Sequence, residues 1–100
     1  MFIVLLRFAE HRGDAAKYME GHKAWLARGF DDGVFHVAGT LQPGQGGAIV
    51  AHGLSRDALD ARVGDDPFVV HGVVRAEVLE ISVSRASEPF RLLLSTGGAA

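Results

Sequence analysis

The chain opens on an apolar run, Phe2-Ile-Val-Leu-Leu6, with Phe8 one step beyond Arg7. A run this short, rich in β-branched and large apolar residues, predicts a strand over Phe2 to Phe8. Successive strand side chains point to opposite faces, so Phe2, Val4, Leu6 and Phe8 share one face and Ile3 and Leu5 the other. A strand with one wet face alternates apolar with polar residues. This one does not, so both faces are expected to be covered, the second by a helix or by another subunit. Glu10-His-Arg-Gly13 reads as a turn, with Asp14 as a helix N-cap. From Ala15 the period changes. Ala15, Tyr18, Met19, His22, Trp25, Leu26 and Phe30 recur at intervals of three and four, the apolar stripe of a helix. Asp31-Asp-Gly33 ends it with a glycine suited to a left-handed cap.

Val34 to Thr40 and Ala48 to His52 read as two further strands joined by the turn-rich Leu41-Gln-Pro-Gly-Gln-Gly-Gly47. Ser55 caps a second helix carrying Ala58, Leu59, Arg62 and Val63. Asp65-Asp-Pro-Phe68 interrupts it, because the residue before a proline is biased away from helical angles. A short helical turn is expected over Val70 to Gly72 and a fourth strand over Arg75 to Val83. The tail beyond Ser84 has an apolar centre, Phe90 and Leu92-Leu-Leu94, that suggests docking onto a partner chain, and a small-residue end expected to fray. Strand, helix, strand, strand, helix, strand is the split βαβ order of a ferredoxin-like α+β fold with an antiparallel four-stranded sheet. Both helices then lie on one face. Pairing two such sheets through the other predicts a symmetric homodimer.

Length and composition narrow the function. One hundred residues make one domain with little room for a deep private pocket. A net charge of −2 is a poor match for the basic stripe of a nucleic-acid binder. There is no cysteine, which removes disulfides, iron–sulfur clusters, thiol nucleophiles and thiolate zinc sites. The apolar start is too short to span a bilayer and lacks a basic leader, so a soluble, cytoplasmic protein without membrane partners is expected.

Little in the chain matches a known chemical motif. The glycines of Pro43-Gly-Gln-Gly-Gly47 lack the Lys-Ser or Lys-Thr of a phosphate loop and read as a hairpin. No Gly-x-Ser-x-Gly elbow is present. Among His11, His22, His36, His52 and His71, no pair has the i, i+4 spacing of a helical metal site. His36 and His52 fall on neighbouring hairpin strands, but no metal site is assigned. His22 stands apart because it interrupts an apolar stripe turned toward the sheet, where its ring needs hydrogen-bond partners. Asp66 stands apart because it precedes a proline that locks the turn. A histidine held by an aspartate is a minimal acid–base unit, the carboxylate orienting the ring and stabilising the imidazolium. Each residue also has a bland reading, as a satisfied core histidine and a turn-forming carboxylate.

Gly21-His-Lys-Ala-Trp-Leu26, Val37-Ala-Gly-Thr-Leu41 and Asp65-Asp-Pro-Phe-Val69 with Gly72 together resemble the YCII-related domain family over residues 1–84, leaving 85–100 as a C-terminal tail. The resemblance implies a ferredoxin-like fold dimerising through its sheets, a dimeric α+β barrel. It also implies an active-site pair at His22 and Asp66. One branch of the family acts as a dehydrochlorinase on chlorinated hydroxyhydroquinones. Where many members carry arginine three residues before the histidine, this sequence has Met19, which makes the expected pocket more apolar.

The sequence therefore supports a small cofactor-independent enzyme of lyase, isomerase or dehalogenase type. His22 and Asp66 do acid–base chemistry on a small aromatic or anionic metabolite, and Trp25, Phe68, Tyr18 and Arg7 contact it. The alternative is a dimeric module that binds a small molecule, or a partner, without turnover.

Overall fold

A computed structural model describes residues 1–97. Its strands are β1 (Phe2–Phe8), β2 (Phe35–Thr40), β3 (Gly46–Ala51) and β4 (Val74–Glu80). Its helices are α1 (Ala15–Asp31), α2 (Arg56–Gly64), α3 (Pro67–Val70) and α4 (Glu88–Gly97). The strands form one antiparallel sheet in the order β2-β3-β1-β4. With the βαββαβ element order, this is the ferredoxin-like topology. β1 lies at the centre of the sheet, where a strand apolar on both faces belongs.

Register sorts the faces. Phe2, Val4 and Leu6 oppose Ala51, Ile49 and Gly47 on β3 and Glu80, Val78 and Ala76 on β4. Phe2, Val4 and Leu6 are buried beneath the helices with Trp25, Phe35, Leu59, Val63 and Phe68. Each such side chain contributes about 1.5–3 kcal/mol on burial. On the other face Ile3 and Leu5 are half-buried, and Val37 and Leu79 are exposed. That face is apolar at Ile3, Leu5, Val37 and Leu79, carries Arg7, Arg75 and Glu77 toward one end, and stays open over part of its area.

Helix α1 sits close on the sheet because Gly29 has no side chain. A Cβ there would run into the Phe35 ring, and the contact leaves Gly29 buried. Gly33, at φ 75°, turns the chain out of α1. Ser55 caps α2, its Oγ accepting from the Ala58 N–H at 3.1 Å.

Several local expectations change. Asp14 occupies the α1 N-cap position but its side chain makes no capping bond, since a 3-10 turn over Arg12–Asp14 already leads into the helix. The short helix starts at Pro67 rather than Val70: Asp66 caps it, and proline at the first helical position needs no amide partner. β4 ends at Glu80, where its partner β1 begins at Phe2. The apolar tail segment is helix α4, whose Leu94 carbonyl accepts from His52 Nε2 at 2.7 Å. The tail's last residues, 98–100, lie outside the described residues.

Candidate functional site

The site forms where α1 meets α3. Gly21 lets the helices approach: a Cβ there would come within 3.1 Å of Pro67 Cγ. One residue on, His22 reaches Asp66, and its Nδ1–H donates to Oδ1 at 2.8 Å. A carboxylate oxygen accepts, which puts the imidazole proton on Nδ1. The same Oδ1 accepts the Phe68 backbone N–H at 3.0 Å. Asp66 thus caps α3 and orients His22 through one atom. It is 0% exposed, and its other oxygen, Oδ2, is buried without a partner among the described residues.

The imidazole is fixed in plane as well as in direction. Phe68 stacks on it with ring centroids 4.1 Å apart and planes 4° apart. His22 Nε2 has no hydrogen bond to any described residue. His22 borders two adjoining cavities of about 220 Å³ each, both also bordered by Leu6, Gly39 and Gly47. Phe8, Met19, Thr40, Gly46, Phe68 and Val74 complete the lining of the first. The wall is apolar, and Met19 supplies apolar surface rather than a cation. A cavity near 150 Å³ holds benzene, so about 220 Å³ suits a single substituted ring.

The other expected contacts separate. Phe68 lines the cavity and holds the His22 ring. Trp25 does not line it: the indole is 2% exposed, its Nε1 donates to the Arg62 carbonyl at 2.8 Å, and its ring meets Phe35 edge-on at 5.2 Å. Tyr18 does not line either cavity, and stacks on His71 at 3.9 Å. Arg7 is on the wrong side of the sheet. It follows Leu6 in the strand, so it points to the open face, where it lies 3.8 Å from Glu77. Strand alternation separates it from His22. His36 and His52 do approach, with ring centroids 6.3 Å apart, but among the described residues no third His, Asp or Glu joins them to form a metal-binding group.

Thr40, Gly39, Gly46 and Gly47 also line the site, although a strand end and a hairpin loop carry no chemical motif in the sequence. Their place at the site depends on the β2–β3 register, which sets Thr40 opposite Gly47.

Among the described residues, no helix is long and apolar enough to cross a membrane. No protein-family model matches the sequence, and no match was found among curated proteins. Among solved structures, the fold is similar to that of 5-chloro-2-hydroxyhydroquinone dehydrochlorinase from Burkholderia phenoliruptrix, in complex with 2,5-dihydroxybenzoquinone. The TM-score is 0.66 at 20% identity, over 82% of this chain and 94% of that one. At that identity the likeness establishes a shared α+β fold.

Proposed function

We propose that the protein is a small lyase-type enzyme of the YCII-related kind, acting without a cofactor on a single-ring aromatic or quinonoid metabolite. The observation that carries this reading is the division of labour on one ring. Nδ1 of His22 is held by a buried carboxylate, while Nε2, without a hydrogen bond to a described residue, belongs to a ring that borders a largely apolar cavity. In this reading the substrate reacts as its keto tautomer, in which the proton of one ring hydroxyl has moved to the chlorine-bearing carbon and made it tetrahedral. Nε2 takes the proton of a second ring hydroxyl, the O–H pair becomes a C=O π bond, the ring double bond shifts onto the chlorine-bearing carbon, and chloride departs with the C–Cl pair. Asp66 stabilises the imidazolium until the proton is released to water. The fold neighbour named above acts on a chlorinated ring, which supports the substrate class.

The experiment is a chloride-release assay with 5-chloro-2-hydroxyhydroquinone and related chlorinated hydroquinones. Release by the wild type that is lost in His22→Ala supports the reading. A second reading, binding without turnover, draws on Asp66 Oδ1, which caps α3 and so gives the pair a structural reason to exist. Ring binding with no turnover of any halogenated or hydroxylated ring favours it.

The same proposal makes residues 1–84 the functional unit and 85–100 an accessory tail, and pairs two copies through the open sheet face as a cytoplasmic homodimer. Val37 is 55% exposed on that face, and α4 adds Phe90 and Leu92, 46% and 62% exposed. Sedimentation at micromolar concentration is expected to give a dimer, and a monomer there contradicts the pairing.

A further inference from the structure

One row of the sheet beneath His22 is incomplete. Across the helix-facing side run Thr40 on β2, Gly47 on β3, Leu6 on β1 and Ala76 on β4, each opposite the next. Strands lie about 4.8 Å apart, so Thr40 and Leu6 stand roughly 10 Å apart across the sheet. Gly47 puts no side chain between them. The gap is open rather than filled from above: a Cβ on Gly47 would meet nothing nearer than the Gly39 carbonyl oxygen at 3.4 Å. Nor does Gly47 have a positive φ, so its backbone does not demand glycine. Of the residues lining the first cavity, only His22 and Thr40 carry polar side chains. The Thr40 hydroxyl makes no hydrogen bond to a described residue.

We infer that Thr40 is a second polar anchor of this site and that Gly47 sets the width of ligand it admits. The inference rests on the His22 site proposed above and goes further by defining the ligand. That ligand is slender or flat, has an apolar middle that lies over Gly47, and carries hydrogen-bonding groups at two separated positions. One meets His22 Nε2 and the other the Thr40 hydroxyl. A ligand with only one such group leaves Thr40 unused. A branched body collides with the sheet backbone at Gly47.

The test uses phenol and the three dihydroxybenzene isomers as probes, with binding read from amide NMR shifts. At least one dihydroxybenzene is expected to bind the wild type about three- to tenfold more tightly than phenol, the worth of one neutral hydrogen bond. Thr40→Val keeps the side chain's shape and removes its hydroxyl. It is expected to bring that ratio to about one with phenol affinity unchanged. Gly47→Val suits a strand, and is expected to weaken every probe tenfold or more while the urea midpoint stays at or above that of the wild type. An unchanged ratio in Thr40→Val, or wild-type binding by a folded Gly47→Val, overturns the inference. So does a wild type that binds none of the probes at millimolar concentration. The Thr40 effect on binding together with an inert wild type in the chloride assay overturns the catalytic reading and supports this one.

Discussion

Turnover by the His22→Ala protein is expected to fall about 10²–10⁴-fold, with the fold intact. That range is the usual contribution of a positioned acid–base group, and corresponds to about 3–5.5 kcal/mol of transition-state stabilisation. Stability should change much less than activity. The ring is only part-buried, and the Asp66 oxygen it leaves behind still accepts the Phe68 amide. The loss should fall mainly on kcat, because a small apolar ring gains most of its binding from Phe8, Phe68 and Val74, which remain. A His22→Ala enzyme with wild-type kcat, and equal circular dichroism, removes His22 from the chemistry.

The second large effect falls on stability. Trp25→Ala is expected to destabilise the protein by about 3–5 kcal/mol, the range for truncating a buried aromatic. The indole joins three elements. It comes from α1, donates to the Arg62 carbonyl near the end of α2, and packs edge-on against Phe35 of β2. Removing it leaves a cavity and takes one of two donors from the Arg62 carbonyl, which still accepts the Asp65 N–H at 3.1 Å, in a 100-residue domain whose total stability is of order 5–15 kcal/mol. Trp25→Phe keeps most of the volume and loses the hydrogen bond, so it should cost less, on the order of 1–2 kcal/mol. Urea denaturation of the three proteins measures both. If Trp25→Ala unfolds at the wild-type midpoint and instead loses ring binding, the indole is a pocket wall and its structural assignment is wrong.

Trp25 also shows where reading the sequence succeeds and where it stops. The three-and-four spacing correctly turned His22, Trp25 and Leu26 toward the sheet, because helical geometry alone fixes which residues share a stripe. It does not say which of them reach a cavity. That is decided by the side chain's length and by Phe35 and Arg62, distant in sequence. Arg7 is a different case. Its position in β1 already placed it opposite Leu6 in facing, and the alternation rule could have excluded it from a site on the helix side. Asp66 was legible because Asp-Pro imposes a local geometry: the proline starts α3 and the carboxylate caps it. Gly47 and Thr40 were not legible, since nothing in a glycine-rich hairpin reveals its register. The displaced start of α3 has a local cause as well, with the cap fixing the first turn one residue after Asp66.

The tautomer of His22 tests the central claim most directly, by nitrogen-15 NMR of the imidazole ring in the wild type and in Asp66→Asn. The neutral wild-type ring is expected to carry its proton on Nδ1, with Nε2 unprotonated. In Asp66→Asn the amide can turn its oxygen or its NH₂ to the ring, and the preference for Nδ1–H should weaken. A wild-type ring protonated on Nε2, unchanged by Asp66→Asn, contradicts the acid–base pairing of His22 with Asp66. It would mean that Asp66 does not set the proton on His22 and that Nε2 is not free to take one.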